Sequence, residues 1–252
     1  MSSVESSECE SAACHSGGCG GTLWPTSVEW LIGAQRELAR AQAPKWRVPR
    51  TAYAIGACFV CFARGARPPG AVGERGWAAA AVALERRIVA RSLVRGRALA
   101  SYDPGLLALR EGPLLESAVR GLPRVPDVLL VNATGRDHPR RAGLALHLGA
   151  VIGMPTVGVT HRPLLAQGEW PPAEWGACTP LMLDGETVGC WLRTCRQARP
   201  LAVHPGWQTD IATACSVVLA ATAQVRAPEP LREARRLARL ARGRERGGEG
   251  CR

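Results

Sequence analysis

The spacing of hydrophobic positions near the start of the chain predicts an amphipathic helix. Between residues 28 and 43, apolar side chains recur every three or four positions, which is the spacing of one helix face. Trp30, Leu31 and Leu38 fall near that face, whereas Gln35 falls outside it. The pattern therefore predicts that Trp30 helps to bury this helix and that Gln35 lies on its polar side.

Further along the chain, apolar runs typical of strands alternate with longer segments typical of helices. The predicted strands are 53–62, 77–84, 87–94, 127–131, 156–159, 180–183 and 187–192. The predicted helices are 106–122, 141–153 and 210–224, followed by a basic helix or tail at 231–246 that we expect to be a solvated surface segment. An antiparallel meander followed by alternating strands and helices indicates one α/β domain.

The charge balance favours a polyanionic partner. Lys and Arg number 32 against 21 Asp and Glu, a net charge of +11, and Lys45 is the only lysine. A basic surplus of this size indicates nucleic acid rather than a membrane surface, and it argues against a metabolic role unrelated to nucleic acid. Arginine grips phosphate with a planar fork, but an arginine bias also arises from codon usage alone.

The ends of the chain differ in composition from its middle. Residues 1–27 are rich in Ser, Gly, Glu and Cys and predict a disordered tail, 28–242 a folded domain, and 243–252 a second tail. The 10 cysteines are scattered, and no secretion signal or membrane span is visible. We therefore expect free thiols in the cytoplasm. A zinc site in the first tail lacks the usual paired spacing, although four candidate ligands are present: Cys9, Cys14, His15 and Cys19.

A polar loop directly after the predicted strand 127–131 is the strongest chemical signal. Residues 132–140 offer an amide, a carboxylate, an imidazole and guanidinium groups, and the reacting groups of open α/β sheets sit at the carboxyl ends of strands. A polar loop in which His138 merely starts a helix is the alternative interpretation.

Read with its neighbours, this loop resembles the endonuclease V family. The resemblance rests on Y-D-P-G-L-L-A-L-R-E at 102–111, P-D-V-L-L-V at 126–131, H-P-R-R-A-G-L-A at 138–145 and P-T-V-G-V at 155–159. Later agreement comes from G-E-T-V-G at 185–189, L-R-T at 192–194 and R-A-P-E-P at 226–230. The motifs keep the family's order and spacing over roughly residues 28–241.

The resemblance implies a ribonuclease H-like fold, an α/β architecture with a mixed central sheet and helices on both faces. It also implies a Mg²⁺-dependent nuclease, with Mn²⁺ as an alternative ion, that recognises deaminated purine, chiefly inosine, in DNA or RNA. Such an enzyme cuts the second phosphodiester bond 3′ of the lesion. We expect a monomer with no membrane partner.

The residues that correspond to the family's metal ligands depart from its pattern. The resemblance places an aspartate at Cys58 and another at Asn132, and only the third carboxylate is kept, as Glu111. Mg²⁺ prefers anionic oxygen, so a neutral amide and a soft thiol are poor replacements. Cys58 and Cys61 form C-x2-C, but residues three apart in a strand face opposite sides, which favours two buried structural residues.

The other candidate site residues also come from the resemblance. A lysine of the family becomes His161, and a histidine becomes Trp207. The predicted nucleic-acid contacts are Tyr102 as the wedge, Pro104, Gly105, Arg140, Arg141, His161 and Trp207, and His138 orients water or phosphate.

Three functional outcomes remain open. The first is a nucleic-acid-binding relative with weakened cleavage. The second is a pseudoenzyme that binds damaged or structured nucleic acid without cutting it. The third is a working nuclease whose metal site is rebuilt with Asp137 as a replacement ligand, although Asp137 also suits a capping role at a helix starting at Pro139.

Overall fold

One mixed sheet of eight strands organises the protein. A computed structural model describes residues 24–65, 68–223 and 225–249. The strands are β1 (Ala54–Phe62), β2 (Arg75–Leu84), β3 (Arg87–Arg97), β4 (Val128–Val131), β5 (Thr156–Thr160), β6 (Cys178–Leu183), β7 (Glu186–Leu192) and β8 (Leu201–Pro205). The helices are α1 (Val28–Arg40), α2 (Leu107–Arg120), α3 (Leu144–Ile152), α4 (Ile211–Ala220) and α5 (Glu229–Glu249).

The strand order brings three parallel strands together near the middle of the sheet. The order is β3-β2-β1-β4-β5-β8-β7-β6, and β4 runs parallel to both β1 and β5. Every other neighbouring pair is antiparallel. The carboxyl ends of β1, β4 and β5 therefore meet at one edge, as the polar loop after β4 predicted.

Each face of the sheet is covered by its own helices. Side chains alternate along a strand, so β1 sends Cys58 into the core under α2 and α3 and Cys61 into the core under α4 and α5. This confirms that the C-x2-C pair faces opposite sides. Most predicted elements are present with shifts of a few residues, and the ribonuclease H-like α/β architecture is confirmed.

The prediction missed β8. Residues 201–204 lie between Pro200 and Pro205 and include a histidine, so the segment does not look like a central strand. β8 nevertheless pairs with β5 on one side and β7 on the other, and all five of its residues are buried.

Two predictions about α1 were wrong. Trp30 is 52% exposed, whereas Gln35 is buried, with an exposed fraction of 1%. The Gln35 amide can be buried because it forms hydrogen bonds with the carbonyl of Gly105 and with the side chain of Arg140.

The ends of the domain are better packed than composition predicted. Trp24 belongs to the stretch predicted as a disordered tail, yet it is buried, stacks on His147 at a ring distance of 4.9 Å and donates from its indole to Glu116 at 2.6 Å. The four candidate zinc ligands of the tail lie outside the described residues.

The basic segment after residue 231 is not a solvated surface helix. α5 packs on β1 and β2 and continues to Glu249, past the predicted end of the domain at 242. Its buried stripe consists of Leu231, Ala234, Ala238 and Ala241. Small side chains at helical spacing allow the backbone of α5 to pack close to the sheet. Beside this stripe, Arg235 and Arg242 contact Phe59 and Phe62 of β1.

The cysteines of the described part are free thiols: Cys58, Cys61, Cys178, Cys190, Cys195 and Cys215. None of the helices in that part is long and apolar enough to cross a membrane.

Candidate functional site

The carbonyl of Gly105 is the point at which the candidate site is tied together. It accepts hydrogen bonds from His138 Nε2 at 3.1 Å, from Arg140 Nη2 at 2.8 Å and from Gln35 Nε2 at 3.2 Å. Arg140 Nε also donates to Gln35 Oε1 at 2.5 Å. The loop that carries Tyr102 is therefore fixed to α1 and to the loop after β4 through one backbone oxygen.

Both ring nitrogens of His138 are engaged in that network. The backbone N–H of Arg140 donates to Nδ1 at 3.2 Å, so we assign the proton to Nε2, which donates to Gly105. Burial, as the main cause, lowers the pKa of His138 to about 4. The imidazole is therefore neutral at pH 7 and positions the Tyr102 loop.

A cleft opens beside this network. Its volume is about 160 Å³, and it is lined by Tyr102, Pro104, Gly105, Asn132 and His138 with other residues of α1, α2 and the loops. Tyr102 is 59% exposed at its mouth. An exposed aromatic ring next to a small cleft suits a wedge or stacking residue beside an extruded base. The structure thus brings these five predicted site residues together.

Glu111 and Cys58 lie deeper, where α2 packs on β1. Burial raises the pKa of the Glu111 carboxyl to about 7, although the charge of Arg110 lowers it. Burial also raises the pKa of the Cys58 thiol, and the nearby Glu111 carboxylate adds to that shift. Cys58 is fully buried and remains a neutral thiol at pH 7.

Asn132 has a partner that the sequence analysis missed. Arg235 of α5 donates from Nη2 to Asn132 Oδ1 at 3.1 Å, and its guanidinium lies 5.2 Å from the centre of the Phe59 ring. No local sequence pattern points to this pairing, because the two residues are 103 positions apart in the chain.

The structure gives Asp137 a structural role. Its two carboxylate oxygens accept from the backbone N–H groups of Leu164, Leu165 and Ala166 at 2.5 to 2.8 Å, and the residue is fully buried. A helix starting at Pro139 was also a wrong prediction, since α3 begins at Leu144. Nothing in this arrangement supports Asp137 as a replacement metal ligand.

The remaining predicted contacts are dispersed. The Arg141 guanidinium bonds to the carbonyl of Leu183 and to Asp184, both at 3.0 Å, at the turn between β6 and β7. His161 is exposed just after the carboxyl end of β5, whereas the carbonyl of Trp207 accepts from Thr156 at the opposite end of that strand. The structure therefore does not bring Trp207 to the cleft, and its contact with nucleic acid stays a prediction.

A mixed sheet covered by helices on both faces, with its polar site where parallel strands end, defines a ribonuclease H-like α/β protein. The chain belongs to the endonuclease V family, whose family model matches residues 70–236. Endonuclease V from Azotobacter vinelandii is 43% identical over 163 residues, which make up 64% of this chain and 74% of the relative.

Solved structures agree with this assignment. The crystal structure of endonuclease V from Streptomyces avermitilis is 33% identical, has a TM-score of 0.79 and is matched over 88% of this chain and 95% of that chain. Endonuclease V from Ciona intestinalis, in complex with a 24mer DNA containing an inosine followed by a ribo-adenosine, has a TM-score of 0.70 at 19% identity, covering 84% of this chain and 96% of that one. This last likeness concerns the fold.

The residues at the implied metal site do not fit Mg²⁺ or Mn²⁺. Of the three expected carboxylates only Glu111 is present, Cys58 is a buried neutral thiol, and the Asn132 oxygen is bonded to a cationic guanidinium. In the described part of the chain, no three His, Cys, Asp or Glu side chains are grouped so that they could hold a metal ion. A hard divalent cation requires several anionic oxygens, so this site offers it too little negative charge.

Three buried histidines make acid destabilisation a testable property of the fold. Burial lowers the pKa of His138, His147 and His204 to about 4. An unfolded chain protonates histidine near its ordinary pKa of about 6.5, so below that pH the unfolded state binds more protons. We expect the free energy of unfolding to fall as the pH drops from about 6.5 to 4, by about 3 kcal/mol for each histidine.

The Glu111 carboxyl has the opposite effect on the free energy of unfolding over part of this pH range. Its raised pKa of about 7 means that the folded state holds an extra proton between roughly pH 4.5 and 7, but one group opposes three. Urea unfolding at pH 7.5, 6.5, 5.5 and 4.5 measures the net slope. His147→Phe keeps the ring against Trp24 and should remove about a third of the histidine contribution. An unchanged slope in this variant would contradict the assignment.

Proposed function

We propose that this protein binds nucleic acid containing deaminated purine and does not cleave it efficiently with a divalent metal ion. The observation that carries the proposal is the hydrogen bond of Arg235 to Asn132, together with the burial of the Cys58 thiol. A guanidinium is hydrogen-bonded to the residue that stands where the family resemblance expects a metal-binding aspartate. A cation held there both occupies the amide oxygen and repels a second cation.

The proposed binding of nucleic acid rests on two features of the site, the Tyr102 loop and the cleft beside it. The Tyr102 loop is held by three donors to Gly105, and the cleft beside it is open. The DNA in the Ciona intestinalis complex contains inosine, which makes inosine the first base to test here. The net charge of +11 supports attraction to a polyanion.

The rival proposal, a nuclease rebuilt through Asp137, has less support. That carboxylate already accepts three backbone N–H groups, and such hydrogen bonds stabilise it where it is. Turning it toward a metal ion would leave three N–H groups without this partner, and for the buried N–H of Ala166 alone the loss costs about 1–3 kcal/mol.

Two assays on one labelled oligonucleotide test the proposal. A single-inosine strand, prepared as DNA and as RNA, should bind the protein in EDTA and remain uncut in Mg²⁺ and in Mn²⁺. Glu111→Ala is the matched control, because it removes the only retained carboxylate. Cleavage by the natural protein that disappears in Glu111→Ala would show a working metal site and would falsify the proposal.

A further inference from the structure

Three arginines of α5 lie along the sheet at the edge that carries the candidate site. Arg235 bonds to Asn132, Arg239 lies 5.7 Å from the centre of the Phe59 ring, and Arg242 donates from Nη1 to the carbonyl of Phe62 at 3.2 Å. We call Arg235, Arg239 and Arg242 the arginine row. Their spacing of four and three residues puts them on one side of the helix.

No carboxylate among the side chains described up to residue 244 neutralises the positive charge of the arginine row. Among the side chains described up to residue 244, no salt bridge joins any of the three to a carboxylate, whereas Arg232 and Arg236 on the same helix pair with Glu229 and Glu233. The paired arginines therefore lie next to the arginine row on the same helix, and the two sets differ in whether a carboxylate neutralises them.

Two further observations point to an anion at this place. Arg235 Nε is buried and has no hydrogen-bond partner among the described residues, which is a costly state for a charged donor. Besides burial, the charges of Arg239 and Arg226 lower the pKa of Arg235, and those of Arg226 and Arg235 lower the pKa of exposed His161. The positive groups are thus close enough to repel one another, and an anion would relieve that repulsion.

We propose that the arginine row binds the phosphates of a nucleic-acid strand directly, with the Arg235 guanidinium supplying positive charge where the family's metal ion would be held. This inference rests on the proposed nucleic-acid binding and adds the site and its chemistry. Along a helix axis the row spans about 10 Å. That length allows the row to contact neighbouring phosphates of one strand. Guanidinium groups bind phosphate oxygens in pairs and need no metal ion.

The test compares two variants with the same change in net charge. Arg235→Gln/Arg239→Gln removes two members of the row, and Arg232→Gln/Arg236→Gln removes two paired arginines from the same helix. Binding of a fluorescein-labelled single-stranded inosine DNA is measured by anisotropy in EDTA at several salt concentrations. We expect the first variant to bind at least tenfold more weakly and to lose about 1.4 from the slope of log K against log salt. The control should stay within about twofold of the natural protein.

Three other results of this binding experiment would contradict the proposals in different ways. Equal losses in both variants would mean that net charge alone matters, and the arginine row would be wrong while the proposed function stands. Binding that requires Mg²⁺ would overturn the replacement of the metal ion by Arg235. If the natural protein bound no oligonucleotide with or without Mg²⁺, the proposed function itself would fail, and this inference with it.

Discussion

The variant Cys58→Asp/Asn132→Asp/Arg235→Gln will bind Mn²⁺ and cleave single-inosine DNA, whereas the natural protein will do neither measurably. The first two changes restore the carboxylates that the family resemblance places beside Glu111. Two added negative charges near a divalent ion are worth several kcal/mol, on the order of a thousandfold in affinity or more. Isothermal titration with Mn²⁺ and a cleavage assay measure the two gains.

The third change, Arg235→Gln, tests whether the Arg235 guanidinium hinders metal binding. In Cys58→Asp/Asn132→Asp alone, Arg235 would form an ion pair with the new Asp at 132, since it already reaches the Asn132 oxygen at 3.1 Å. The guanidinium would compete with the metal ion for that oxygen and repel it. We therefore expect the double variant to bind Mn²⁺ about ten- to a hundredfold more weakly than the triple variant.

Glu111→Gln added to the triple variant provides the control, because it removes one of the three carboxylates and should abolish cleavage. If the double and triple variants were equally active, Arg235 would not occupy the position of the cation. If the triple variant folded but still bound no Mn²⁺, the correspondence of Cys58 and Asn132 with the family's ligands would be wrong.

The fold was largely predictable because most of its strands are apolar runs with clear ends. β1 and β4 are almost entirely buried and contain no charged residue. β8 escaped prediction because its partners, β5 and β7, are distant in the sequence, and only their pairing makes a short segment ending in His204 and Pro205 a central strand.

The site was predictable where it follows a local motif and not where distant elements meet. The Tyr102 loop and His138 belong to continuous motifs, and the structure brings them together. Gln35 and Arg235 come from opposite ends of the chain, and each bonds to a residue 70 or more positions away. Their hydrogen-bond partners are set by helix packing, which a one-dimensional pattern does not record.

Among substitutions of one charged side chain, we expect Arg110→Met to lower the free energy of unfolding the most. Arg110 and Glu74 form an ion pair in which the side chains are 3% and 6% exposed. The Arg110 Nη1 atom also donates to the carbonyls of Gly70, Ala71 and Ala100 at 2.9 to 3.1 Å, and the guanidinium covers the Phe62 ring at 4.0 Å. Removing one partner of a buried pair costs about 3–5 kcal/mol, because the other charge stays buried and unpaired.

Two comparisons decide whether burial is the cause. Arg120→Met on the same helix breaks a pair with Glu116 in which the Arg120 side chain is 57% exposed, and it should cost less than about 1 kcal/mol. Arg110→Met/Glu74→Leu removes both charges and should recover part of the loss, which Arg110→Met alone cannot. Equal losses in Arg110→Met and Arg120→Met, measured by urea unfolding, would contradict the argument.

The Gly70 carbonyl also accepts from the Tyr102 backbone at 2.7 Å, so loosening this loop should weaken oligonucleotide binding as well. Arg110 therefore links the stability of the fold to the position of the wedge.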